Sequence, residues 1–460
     1  MKTFATIFVA LAIIASTAVP AVADTPKAMA DIATKASGAM AYMQFTYEDE
    51  VGSRTLGGIC VCIEPSGVMM TTSIDSRIQA DFIKDLHVVV PGVGGKSLKA
   101  KFLGVDPLSN LGFIQVTDPH KWTVVRFARG ADLSVGKRVV SMGLLGKETA
   151  YAPYMGTGYV STTVRVPGEL VYVTGGTLTG EGSPVFTDDG LAVGVLGRQL
   201  FLDYQTTTSR GPARLRIHGQ QRTSFFTPSS EFAGALEKIP APGSERRLPW
   251  MGVLQVDPVS EEFAKIVGQD KPAVILDRVL PGFPAAQAGI QDRDVVIGMD
   301  GKDLERLATP ELVSQNFLQQ IMRLSPGQKV TFNIVRGRQA KNVTVTMAPM
   351  PPRPDEAKRY IDKVLGFGIR DKVSLDEYLL KGPEAKTPGV LVILVAKESP
   401  AARGGLKPDD LITHINDERA GSVDVCETVL NEAAKPGKVI NFLVYRGGQQ
   451  KALSIRLPVR

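Results

Sequence analysis

Short apolar runs, each cut off by Gly, Pro, Asn or Asp, dominate the first half of the chain. Residues 59–63, 67–71, 86–90, 98–104, 111–116, 138–142 and 191–196 are all of strand length. Few amphipathic stretches interrupt them, and residues 29–36 read as one short helix. Many short strands over ~200 residues predict an all-β barrel or sandwich. Beyond residue 250 the pattern changes and then repeats. One unit runs Trp250-Met251-Gly252-Val253, an apolar strand at 273–276, Pro284-Ala285-Ala286-Gln287-Ala288-Gly289-Ile290, and a strand led by Asp294. The next runs Gly366-Phe367-Gly368-Ile369, a strand at 390–393, Pro400-Ala401-Ala402-Arg403-Gly404-Gly405-Leu406, and a strand led by Asp410. Each continues into a helix, at 310–324 and 423–434, then a Pro-Gly turn and two strands. Two units of ~100 residues with one order of elements mean duplicated modules.

Composition sharpens this picture. The 460 residues predict about three domains. The 46 Gly and 30 Pro exceed average usage and favour turns over long helices. Pro-rich, polar breaks at 239–249 and 349–358 divide the chain into 24–238, 250–348 and 359–460. The net charge of +6 is mild and scattered, which argues against nucleic acid as a partner.

The N-terminus has the form of an export signal. Lys2 precedes an uncharged apolar stretch at 4–15, and Ala21-Val22-Ala23 is a small-x-small cleavage site. Cleavage after Ala23 is expected, leaving no transmembrane segment; the alternative is a retained anchor, for which the stretch is short. Export leads to a periplasmic or extracellular compartment, yet the chain carries only Cys60, Cys62 and Cys426. That is no disulfide scaffold. Cys60 and Cys62 face one side of a strand, a poor geometry for a bond, and read as small core hydrophobes.

The repeated units resemble PDZ domains of the kind found in secreted bacterial proteases. An apolar-Gly-apolar turn entering an edge strand lets backbone N–H groups converge on a terminal carboxylate. The expected donors are the amides of Met251, Gly252 and Val253 in the first unit and of Phe367, Gly368 and Ile369 in the second. A ligand strand would add beside each, walled by the helices. The alternative is a groove filled internally or packed against the first block.

With those modules behind it, the first block resembles the HtrA/Deg family of trypsin-like serine proteases. The motifs are Thr71-Thr72, Asp106-Pro107 through Leu111-Gly112, Ser141-Met142-Gly143 and Gly180-Glu181-Gly182-Ser183-Pro184-Val185, in family order. The resemblance implies a mainly β fold, a chymotrypsin-like double β-barrel followed by two PDZ domains. It does not carry the chemistry over. The His, Asp and Ser slots of the triad fall on Ile74, Asn110 and Glu181. Ile74 has no lone pair, Asn110 cannot stabilise an imidazolium, and the Glu181 carboxylate opposes a developing oxyanion. A register shift would make Ser183 the fallback nucleophile, but no histidine stands at the end of the Thr71-Thr72 strand; the four are His87, His120, His218 and His414. Asp75 and Asp106 read as turn or surface residues.

The expected function is therefore that of an exported pseudoprotease, binding C-termini or extended segments of exported proteins as a scaffold or chaperone-like quality-control factor. The alternative is an active HtrA-type serine endopeptidase with a non-standard site at or near Ser183. No metal or organic cofactor is implied. A homo-oligomer, a trimer by family resemblance, is the expected assembly.

Overall fold

The computed structural model describes residues 25–49, 52–75, 78–166, 168–197, 202–208, 211–217, 224–241, 247–260, 271–433 and 436–457. The expected export segment and its cleavage point at Ala23 lie outside them. A helix at Thr25–Ser37 leads into the first barrel and seats Ile32 and Ala36 in its core. That barrel is built from β1 (Met40–Asp49), β2 (Gly52–Cys62), β3 (Val68–Thr71), β4 (Ile83–Val89), β5 (Ser97–Asp106) and β6 (Leu111–Val116). It closes in the order β1-β2-β3-β6-β5-β4. Strand alternation explains its packing: Ala41, Met43, Phe45 and Tyr47 point inward along β1, and Tyr42, Gln44 and Thr46 between them are less buried.

The second barrel uses β7 (Arg138–Leu144), β8 (Pro153–Val166), β9 (Gly168–Thr177), β10 (Pro184–Thr187), β11 (Ala192–Val195) and, after a hairpin of β12 (Leu202–Thr208) and β13 (Gly211–Ile217), β14 (Ser224–Pro228). The glycine clusters Gly156-Thr157-Gly158 and Thr174-Gly175-Gly176 read as loops from sequence; they lie instead within β8 and β9. The ladder shifts register between Thr157 and Tyr159, and Gly175 takes φ +72° there. A bulge, rather than a loop, is what glycine supplies at that point.

Both repeated modules are sheets with one helix across an edge. The first comprises β15 (Pro249–Trp250), β16 (Val253–Pro258), β17 (Val274–Val279), β18 (Val295–Met299), β19 (Lys302–Asp303), β20 (Lys329–Arg336), β21 (Gln339–Thr346) and β22 (Ala348–Pro349), with a helix at Pro310–Met322. The second comprises β23 (Arg359–Asp362), β24 (Phe367–Asp371), β25 (Val390–Val395), β26 (Leu411–Ile415), β27 (Glu418–Arg419), β28 (Val439–Arg446) and β29 (Gln449–Arg456), with a helix at Val423–Ala433. Each is locked by the same buried pair. Asp294 receives Arg336 through two nitrogens at 2.7 Å, and Asp410 receives Arg446 through two at 2.6 Å. The modules touch through a short helix at Asp376–Leu379. Leu375 and Tyr378 pack with Trp250, Leu280 and Phe283, and Arg278 donates to the Tyr378 carbonyl at 2.9 Å.

Candidate functional site

Two kinds of concave feature stand out: a turn at the edge of each module, and a cleft in the first block. In the first module Gly252 adopts φ +86°, and a Cβ there would collide with Phe283. The Met251 carbonyl accepts from Ala285 N (2.7 Å) and the Gly252 carbonyl from Leu280 N (2.9 Å). Both residues are buried, yet neither the Met251 nor the Gly252 amide has an acceptor among the described residues. Buried donors in that state are the mark of a site built for an acceptor from outside.

The same hydrogen bonds recur in the second module, but around Leu365 and Gly366. Ala401 N donates to the Leu365 carbonyl (2.9 Å) and Ala396 N to the Gly366 carbonyl (2.8 Å). Gly366 has φ +74° with Ser399 where Phe283 stands in the first module. The structural counterpart of Met251-Gly252-Val253 is thus Leu365-Gly366-Phe367. The expected donor set Phe367, Gly368 and Ile369 is displaced by two residues, because a second apolar-Gly-apolar triplet follows the first and belongs to strand β24.

The cleft of the first block has a volume of about 170 Å³. Thr72, Asp75, Ser109, Asn110, Leu111 and Glu181 line one part of it, with Val195, Gly197, Thr227 and Phe232 completing the wall. It joins the end of β3, the β5–β6 turn and the loop before β10. Asp106 is buried, and its carboxylate accepts from Ser109 N (2.9 Å) and Ser109 Oγ (2.8 Å). It shapes the turn in which Asn110 takes φ 56°.

A trypsin-like peptidase domain model matches residues 58–195, and a PDZ domain model matches 255–347 and 364–457. Among curated relatives, a probable periplasmic serine endoprotease, DegP-like, of Bartonella henselae is 28% identical over 394 residues, covering 81% of this chain and 71% of that protein. A protein of the same name from Pseudomonas fulva is 27% identical, covering 82% and 75%. This chain is similar to HtrA/DegP-like proteins over most of its length, with a trypsin-like peptidase domain followed by two PDZ domains. Solved structures agree in fold: HtrA-type protease AlgW with decapeptide gives a TM-score of 0.51 at 17% identity, covering 70% of this chain and 99% of that one. The tripeptide form gives 0.50 at 19% identity, covering 70% and 98%.

Against the HtrA-type pattern, the positions singled out in the sequence fall as follows. Asn110 and Glu181 face the one cleft. Ile74 is fully buried beside it and packs on Gly112, where a Cβ would come 2.8 Å from the Ile74 Cβ. Ser183 is not in the cleft. It is 0% exposed, and its Oγ lies 3.1 Å from where a Cβ on Gly143 of β7 would stand. None of the described histidines lines the cleft: His87 is on β4, His120 stacks on Trp122, and His414 is on β26. His218 lies outside the described residues.

Two residues escaped the sequence reading. Asp75, taken there for a turn or surface residue, lines the cleft. Ser141, fully buried, accepts from the Thr179 amide at 2.8 Å and bonds the Thr179 hydroxyl at 3.0 Å. In proteases of this fold the oxyanion is held by the amides of the nucleophile and of the residue two before it. On the expected register, which puts Glu181 in the nucleophile slot, that second amide is Thr179's, which donates to Ser141. The cysteines are core groups. Cys60 and Cys62 are buried and free, and burial pushes the Cys62 thiol up to about 11.

Proposed function

We propose that this chain is an exported, non-cleaving HtrA/DegP-like protein that holds extended segments or C-termini of other exported proteins. The observation that carries this reading is which side chains stand in the barrel cleft and directly beside it. Where a triad would act stand Ile74 without a lone pair, Asn110 without a charge, and Glu181 with a negative charge where an oxyanion would form. The engaged Thr179 amide supports the same reading, since it removes half of the oxyanion's support. Binding is supported by the two buried amides of Met251 and Gly252 that await an acceptor. A terminal carboxylate is the natural ligand for such a nest.

The ligand would pair with β16 over a short span. Ser314 on the groove helix donates to the Val256 carbonyl at 3.0 Å, which closes the far end of that edge. The curated relatives are named periplasmic serine endoproteases, which supports a periplasmic location, and the AlgW structures are titled as peptide complexes.

Those relatives' names also favour a rival reading, an active endopeptidase using Ser183. Digestion of casein by the purified mature chain separates the two. The expected result is no cleavage above buffer, together with saturable binding of a peptide that ends in a free carboxylate. Efficient cleavage by the unmodified chain, abolished in Ser183→Ala, would overturn the proposal.

A further inference from the structure

The structure assigns the second PDZ groove a resident ligand: the chain's own segment Arg359–Asp362, with the Asp362 side chain in the seat of a peptide's terminal carboxylate. A PDZ ligand adds antiparallel to the edge strand, between it and the helix. In the second module that edge is β24, whose other side pairs with β25. Strand β23 runs antiparallel to β24 along the edge, with Asp362 opposite Phe367, Ile361 opposite Gly368, and Tyr360 opposite Ile369. The Lys358 carbonyl accepts from Asp371 N at 2.9 Å. The two-residue alternation of an antiparallel ladder then makes Tyr360/Ile369 and Asp362/Phe367 the next hydrogen-bonded pairs.

The side chains hold the segment against the helix as a bound peptide would be held. Lys358 forms an ion pair with Asp424 in the first turn of the groove helix. Tyr360 packs against the module's core cluster together with Val429 and Ala433 of that helix. Ile361 lies over Gly368, the position at which a Cβ would strike its Cδ1.

The decisive contacts are at the turn. The Asp362 carboxylate accepts from Leu365 N at 2.8 Å and Val364 N at 2.9 Å, and its backbone carbonyl accepts from Gly366 N at 2.8 Å. Leu365 and Gly366 are the counterparts of Met251 and Gly252, whose amides have no acceptor among the described residues. The second nest is filled by an acid from within the chain. In the first module the two residues just before the turn, Pro249 and Trp250, pair with Pro349 and Ala348.

The inference rests on the assignment of the second module as a PDZ domain and not on ligand binding by the first. The test uses the full mature chain with two released variants, Asp362→Ala and Tyr360→Pro, each checked for native circular dichroism. Hydrogen exchange on the unmodified chain should show protected amides at Leu365, Gly366 and Ile369, with at least tenfold faster exchange at Val364 and Leu365, the two amides held by the carboxylate, in Asp362→Ala. A photoreactive pentapeptide ending in a free valine carboxylate should leave β24 and the Val423–Ala433 helix unlabelled in the unmodified chain. Both variants should gain at least tenfold label there. Fast exchange at Leu365 and Ile369 in the unmodified chain would overturn the assignment. So would equal labelling of the second groove with and without the substitutions, or folded variants that gain no label. Labelling of β16 is read separately and bears only on the first groove.

Discussion

The two PDZ modules are built from one plan and differ in what sits at the carboxylate turn. Both hold a positive-φ glycine against the start of a short helix, and both anchor the following strand with a buried Asp–Arg pair. In the first, the entering strand leaves toward β22 and the turn keeps two amides without an acceptor among the described residues. In the second, the entering strand folds back along β24 and delivers Asp362 to the turn. The contrast teaches that a PDZ groove is only half specified by its glycine turn. The other half is the direction taken by the residues just before it, and that direction decides whether the carboxylate turn is filled by its own chain.

The comparison breaks most visibly at the shared ion pair. Asp410 is fully buried and Asp294 nearly so, so removing either arginine strands a charge in the interior. Arg446→Ala and Arg336→Ala should each destabilise their module by about 3–5 kcal/mol, read from denaturant midpoints. Unequal losses would show that the two cores are not equivalent.

Next in size is the turn glycine. Gly252→Val should cost about 1–3 kcal/mol of local strain and abolish peptide binding, because the new side chain meets both a positive φ and Phe283. Gly366→Val should strain the second module similarly yet leave peptide binding unchanged, as measured by fluorescence polarisation. A smaller effect separates free acid from amide. Replacing the ligand's terminal carboxylate by a carboxamide should weaken binding to the first groove by about tenfold, since charge-assisted hydrogen bonds are worth about 1.5–3 kcal/mol.

The smallest effect is alkaline. Burial pushes the Cys426 thiol up to about 12, and it belongs to the second module alone. A raised pKa in the folded state means that the associated stability is complete below the ordinary thiol value of ~8.5 and is lost as pH rises toward 12. The second module should therefore weaken more than the first between pH 9 and 11, followed by calorimetry. Cys426→Ala should remove the difference.

Much of this was legible in the residues alone. The strand-length runs gave most of the first barrel, and the repeated apolar-Gly-apolar, Pro-Ala-Ala and Asp-led strand motifs marked both modules. Local patterns such as these report local geometry. The positions Asn110 and Glu181, singled out by the resemblance to the HtrA/Deg family, line one cleft. Legibility failed where two local readings were equally good. Gly366 and Gly368 both offer an apolar-Gly-apolar triplet, and only the bonds from Ala396 and Ala401 pick the first. Gly158 and Gly175 look like loop residues until a bulge in a long ladder accounts for them. Asp75 is an ordinary turn acid in sequence and becomes a cleft residue only when the two barrels come together.

The amino-acid order by itself determined which side chains are available: no imidazole in the residues just after Thr71-Thr72, an acid at 181, and two glycine turns poised to donate amides. Those follow from composition at fixed positions and need no folding to be true. Tertiary structure alone decided which donors are spoken for. The Thr179 amide belongs to Ser141, and the Leu365 amide to Asp362, because hydrogen bonds are made by whatever the packed chain brings within about 3 Å. In the first module no acceptor among the described residues reaches the amides of Met251 and Gly252.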